Sequence, residues 1–169
     1  MSGNELLRKR KSATLICNIS ALVMLVVALY MGWIAIEVVG YALDGWGMDH
    51  ARAAMAFKSG MAVARVLVFA LLAAFFWKFG HDEAPFSIGQ SAVLFVCGVI
   101  VVAYGIVGQF GAYWINSLPE PMYLIEPIST DFDYPGAWLL FVALGLFLVC
   151  LSVVFRYGRA LFEDTADIL

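Results

Sequence analysis

Residues 12–36 read SATLICNISALVMLVVALYMGWIAI, without a single charge, directly after Arg8-Lys9-Arg10-Lys11. As a helix this run measures about 37 Å, enough to cross a ~30 Å hydrocarbon core with some tilt. A basic stretch ahead of an apolar run also opens a signal peptide. This run, however, is about twice the ~7–15 residues of a signal h-region, and no clean A-x-A site closes it. It is expected to stay as a first membrane span. No myristoylation or prenylation motif accompanies it.

Three further runs follow, at about Gly60–Phe79, Ile88–Ala112 and Gly136–Phe155, none with a charge at its centre. The composition agrees. Of 169 residues, 63% are hydrophobic and 14% charged, against roughly 45–50% and about 25% in soluble domains. With a mean hydropathy of +0.90, the chain needs lipid as its solvent. The expected fold is all-α: one domain over residues 1–169, with four transmembrane helices in an up-down bundle.

The ends of the runs carry local signals. Ser87 and Gln90 form an S-x-x-Q capping box after the helix-stopping Pro85. Asp49 is placed to cap a helical lead-in through Arg52 and Lys58 into the second span. Gly80 stands where an αL C-cap would end that span. Residues 116–136, NSLPEPMYLIEPISTDFDYPG, hold four of the five prolines and read as an irregular loop outside the membrane. Gly60-x-x-x-Ala64, Ala70-x-x-x-Ala74 and Gly108-x-x-x-Ala112 are candidate close helix contacts.

Orientation follows from Lys and Arg. Arg8, Lys9, Arg10, Lys11, Lys78, Arg156 and Arg159 lie on the side of the termini; Arg52, Lys58 and Arg65 lie on the other. Seven against three places both termini of this multi-pass chain in the cytoplasm. Trp33, Trp46, Trp114 and Trp138 gather at the outer boundary and Trp77 at the inner one, as in interfacial belts.

Three polar residues stand out. Glu37, Arg65 and Gln109 are expected at similar depth, just below the outer surface, each near the outer end of its span. They read as a polar site opening outward between helices, or as an ion pair with side chains snorkelling to the boundary. His50 falls outside and His81 inside, so no single haem bridges them. Cys17, Cys97 and Cys150 sit in apolar runs without a C-x-x-C pair and read as packing residues. Asn18 reads as an interhelical hydrogen-bonding residue. No nucleophile elbow, H-E-x-x-H, P-loop or dinucleotide fingerprint is present. The expectation is a non-enzymatic protein with no cofactor, metal or catalytic residues.

Two segments carry a family resemblance. GHDEAPFSIGQ, residues 80–90, puts Pro85-Phe86 in a polar turn before the third span. FRYGRALFEDTADIL, residues 155–169, follows the fourth. Together, with the spacing of the spans over residues 12–169, they resemble the YoaS-like group of small bacterial four-helix membrane proteins, which has G-x-P-F and F-x-x-G-x-x-L-Q-E-[DE] at these places. Phe162 stands where the group usually has Gln, and Ala166-Asp167-Ile168-Leu169 differs from its frequent D-x-T-V ending. Both departures bear on what the tail recognises.

Members are often encoded beside a very small helix-turn-helix DNA-binding protein. The resemblance therefore implies a multi-pass protein of the bacterial cytoplasmic (inner) membrane, acting as a regulatory or sensory partner of such a protein. The cytoplasmic partner surface would be residues 1–11, 80–87 and 156–169, with Pro85, Phe86, Arg156, Gly158, Leu161, Glu163 and Asp164 as its candidate residues. The alternative is a small-molecule or lipid-binding subunit of a larger membrane complex, using Glu37, Arg65 and Gln109. Expected partners are the lipid bilayer, the small cytoplasmic regulator and further copies of the chain in a homo-oligomer, with no direct contact to nucleic acid.

Overall fold

A computed structural model describes residues 3–43, 49–81, 87–116 and 136–166. All four segments are helical: α1 Gly3–Leu43, α2 Asp49–His81, α3 Ile88–Asn116 and α4 Ala137–Ala166. Each contains a stretch long and apolar enough to cross a membrane: Lys11–Gly40, Ala54–His81, Ile88–Gly111 and Ala137–Leu161. Such segments become helices because lipid offers no partner to an open N–H or C=O. The four described helices contain no proline, a residue whose missing N–H would break the hydrogen bonding that each turn needs. The chain is thus a multi-pass membrane protein, all-helical among the described residues. The spans overlap the expected ones throughout, and α2 begins at Asp49, as expected for the lead-in.

Two helix ends are explained atom by atom. The capping box opening α3 is formed: the Gln90 amide donates to Ser87 Oγ at 3.3 Å, and the Ser87 amide donates to Gln90 Oε1 at 3.1 Å. Gly136, at φ 87°, is the positive-φ residue before α4, and its carbonyl accepts from the Leu139 amide at 3.0 Å. Gly80 differs from expectation. It lies inside α2, which continues to His81, and a side chain there would meet Cys17 Cβ at 3.1 Å and Asn18 Oδ1 at 3.3 Å. Its glycine serves the close approach of α1, not a left-handed cap.

The helices pack in series. α1 lies on α2 and α3 on α4, both extensively, while α2 meets α3 more lightly. Within the second hairpin, small residues recur every seventh position: Ser91, Gly98 and Gly105 on α3, Gly145 and Ser152 on α4. Opposed pairs run antiparallel, Ser91 with Ser152, Gly98 with Gly145, and Gly105 with Trp138. A Cβ on Gly98 would lie 2.7 Å from the Gly145 oxygen, and one on Gly145 would lie 2.7 Å from the Gly98 oxygen. The backbones therefore touch. A seven-residue repeat keeps such a seam straight along both helices and belongs to shallow left-handed packing, near +20°.

The four-residue motifs do not fill this role. Gly60 faces open space, and Ala70 and Ala74 are exposed. Gly108 is buried, but the recorded close approach beside it is at Gly111, where the missing side chain leaves room for the Phe57 ring. On α1, Ala21, Ala28 and Ala35 form the matching seven-residue stripe of buried small residues.

Candidate functional site

The lightly packed joint between the hairpins is where polar groups meet in the apolar interior. Arg65 on α2 donates from Nε to Tyr104 Oη on α3 at 2.6 Å, and its guanidinium carbon lies 5.6 Å from the Tyr104 ring centroid. An arginine short of the membrane surface needs an acceptor and a polarisable neighbour. Tyrosine supplies both, through its hydroxyl and its ring face. Tyr104 is itself fixed: it is buried, packs against Met61, Ala64 and Trp138, and meets Phe141 edge-on at 5.1 Å. The arginine thus ties α2 to the packed α3/α4 hairpin.

The helix registers give the relative levels of Glu37 and Gln109. Gly80 opposite Cys17 sets Arg65 level with about Gly32 on α1, and Glu37 level with about Gly60. Arg65 opposite Tyr104 and Phe57 opposite Gly111 set Gln109 level with about Gly60 too. Glu37 and Gln109 therefore share a level, and Arg65 lies about five residues, or roughly 7 Å, nearer the middle of the helices. Glu37 is exposed and accepts from Trp33 Nε1, one turn below it on the same helix, at 2.9 Å. Gln109 is half-buried. The recorded partner of Arg65 on the neighbouring helix is Tyr104, a residue that sequence reasoning passed over because an interior tyrosine looks like packing.

Above the Arg65–Tyr104 bond, between α2 and α3, runs a groove of about 350 Å³. Gly60, Ala64 and Phe57 line one wall, Ala103, Val107 and Tyr104 the other. Small residues on both walls open it, and Gly60 adds nothing to fill it. At the other end of the joint, Phe155 of α4 meets Phe75 at 5.9 Å and Phe79 at 6.0 Å. The two hairpins are therefore held by an arginine–tyrosine tie at one level and an aromatic cluster at another.

A second polar cluster lies on the Phe155 side. Ser152 Oγ donates to the Ser91 carbonyl at 2.9 Å, Ser91 Oγ donates to the Ser152 carbonyl at 3.2 Å, and Arg156 Nε donates to Ser91 Oγ at 3.0 Å. Both serines are buried, 1% and 0% exposed. Reciprocal hydroxyl-to-carbonyl bonds lock the register of α3 on α4, and the arginine extends them outward. The sequence signal was present: each serine continues the seven-residue small-residue spacing of its helix.

Of the candidate partner residues, Arg156 is exposed apart from this bond, Gly158 is half-buried and Leu161 is exposed. Glu163 and Asp164 lie in the last turns of α4, and their side chains lie outside the described residues. Pro85 and Phe86 lie outside them altogether. His50 and His81 sit at opposite ends of α2, and His81 stacks on Trp77 at 4.5 Å. Cys17, Cys97 and Cys150 are free thiols. Among the described residues no group of His, Cys, Asp and Glu is arranged to hold a metal ion. Asn18 faces α2, but its buried Oδ1 has no hydrogen-bond donor, so the bond expected of it is not made through that oxygen. Comparison with family models, curated proteins and solved structures finds no match.

Proposed function

We propose that this chain is a non-enzymatic sensory or regulatory membrane protein, working with a small cytoplasmic helix-turn-helix DNA-binding protein. The observation that supports this is the joint between the hairpins. Two well-packed pairs, α1/α2 and α3/α4, meet across a thinner contact bridged by Arg65 and Tyr104. Switching proteins move rigid units across contacts of this kind, since packed cores shift between arrangements and do not deform smoothly. A change at the outer, Arg65 level would move Phe75 and Phe79 against Phe155, and with them the ends carrying residues 80–87 and 156–169. In this reading the helices run up and down across the bacterial inner membrane with both termini in the cytoplasm, as the seven-to-three Lys/Arg distribution indicates.

A second reading, a lipid- or small-molecule-binding subunit of a larger complex, draws support from the apolar groove beside Arg65. Affinity purification in mild detergent separates the two. Recovery of a small DNA-binding protein supports the first, and loss of that protein from a variant lacking residues 156–169 ties it to the tail. Recovery of respiratory or transport subunits overturns the first reading in favour of the second. Reporter fusions after Phe79 and Leu169 should report cytoplasm, and one within residues 117–133 the outside. An outside signal at the C-terminus refutes the orientation.

A further inference from the structure

We infer that the groove between α2 and α3 takes the tail of a single-chain anionic amphiphile, a long-chain fatty acid, entering from the outer side. The inference rests on the groove of the second reading above, and not on membership of a larger complex. The start of α4 fixes where hydrocarbon ends on that side. The first amides of a helix have no intrahelical partner, and hydrocarbon offers none. Leu139 and Leu140 are 53 and 74% exposed, so this turn is open to its surroundings and belongs at the boundary. Counted from Ala137, the uncharged run to Phe155 is roughly 28 Å long, close to the ~30 Å core, and Arg156 follows it. Gly105 lies against Trp138 and Phe141, which sets Ala137 level with about Val107 on α3, and so with about Met61 on α2. Glu37 and Gln109 share that level to within a turn. α2 and α3 do not stop there: they run on to Asp49 and Asn116, roughly 18 and 14 Å further out.

The groove straddles this boundary. Its lining runs from the level of Ala56 on α2 to that of Ile100 on α3, roughly 18 Å along the helices. Ala64, Ile100 and Ala103 lie on the hydrocarbon side. Ala56, Phe57 and Gly60 lie beyond it, across a headgroup layer about 5–8 Å thick. Bulk lipid tails reach only as far as the boundary. This groove is concave and stays apolar through the headgroup layer, so it continues the hydrocarbon towards the outer phase.

Its shape and lining select the occupant. A volume of about 350 Å³ over that length is a section of roughly 20 Å², the width of one hydrocarbon chain. A helix, about 10–12 Å across, does not fit. An extended peptide brings N–H and C=O groups that need partners, and the lining offers one polar side-chain group, the Tyr104 hydroxyl, which already accepts from Arg65. A hydrocarbon tail needs none. Of the outer-side cations, Arg52 and Lys58 stand on α2 at the outer end of the groove, and the head that suits that end is anionic.

Photolabelling of the purified chain in phosphatidylcholine nanodiscs tests it. The probe is palmitic acid with a mid-chain diazirine, and adducts are located by peptide mass spectrometry. Label is expected on residues 56–64 and 100–107, displaced by unlabelled palmitate. Gly60→Leu should weaken it several-fold by filling the groove, and it should fold, because nothing lies within 4 Å of a Cβ at Gly60. Gly32→Leu, on α1 and equally open, should leave it unchanged. Label spread evenly over the lipid-facing residues of α1 and α4 overturns the inference. So does label that palmitate does not displace, a result that needs no variant to fold. Displacement by phosphatidylglycerol as readily as by palmitate means that a phospholipid chain occupies the groove, and no label at all means that protein covers it; both overturn the inference. Only this chain is present in the discs, so these outcomes leave the larger complex to be decided separately by co-purification.

Discussion

Replacing Gly145 by alanine should loosen the second hairpin, although alanine is the better helix former. The added methyl would lie 2.7 Å from the Gly98 oxygen, 2.7 Å from the Val102 nitrogen and 2.6 Å from Val102 Cγ2. Two of these are backbone atoms and cannot rotate away. Ordinary contact lies at about 3.5–4.0 Å, so α3 and α4 must part by roughly 1 Å. Overpacking of this kind typically costs about 1–3 kcal/mol. The gain from leaving glycine in a helix interior is at most about 1 kcal/mol. Parting the helices also stretches the Ser91–Ser152 bonds, seven residues or about 10 Å along the seam. The net expectation is a loss of about 1–2 kcal/mol, equivalent to a fall of roughly 2–8 °C in Tm for a domain of this size. Gly60→Ala and Gly32→Ala are the controls: nothing lies within 4 Å of either Cβ position, so only the propensity gain remains, and both should leave Tm unchanged or higher. The assay is thermal melting in mild detergent, followed by size-exclusion of the surviving fold. If Gly145→Ala melts with Gly60→Ala, the backbone contact between α3 and α4 is not what sets their packing.

In a double-mutant cycle of Arg65→Met and Tyr104→Phe, thermal melts should show coupling on the order of 1–2 kcal/mol, because either single change already removes the shared, charge-assisted Arg65–Tyr104 bond; strict additivity would remove the Arg65–Tyr104 tie. Glu37→Gln combined with Arg65→Met should instead be additive within about 0.5 kcal/mol, since Glu37 bonds Trp33 and lies at a shallower level; coupling beyond that would show that the two charges meet. Ser87→Ala removes the acceptor of the Gln90 amide and should lower stability by about 0.5–2 kcal/mol with membrane insertion unchanged, read as a lower melting temperature at equal membrane abundance. Ser152→Ala should cost about 1–3 kcal/mol by leaving the buried Ser91 groups under-bonded, and an unchanged melt would mean that the serine pair does not lock the hairpin.

What residues along one helix do by themselves was legible in the sequence. The spans were legible because transfer of each side chain into lipid sums along the run, whatever lies beside it. The Ser87–Gln90 box was legible because its donors and acceptors sit within one turn. Gly80 already shows the boundary of such reasoning: a glycine near the end of a helix signals a cap locally, while here the approach of α1 at Cys17 and Asn18 explains it. The small-residue contacts moved from four-residue motifs to the seven-residue set of Gly98, Gly105 and Gly145, and the neighbour of Arg65 proved to be Tyr104. In each case the missing quantity was the rotation of a helix about its axis. A soluble helix declares that rotation through its apolar stripe, because water and core differ in polarity. In lipid the buried and exposed faces are equally apolar, so Leu29 at 68% exposure and Leu94 at 2% look alike in the sequence. Only the close fit of one helix on another, decided by tertiary packing, tells them apart.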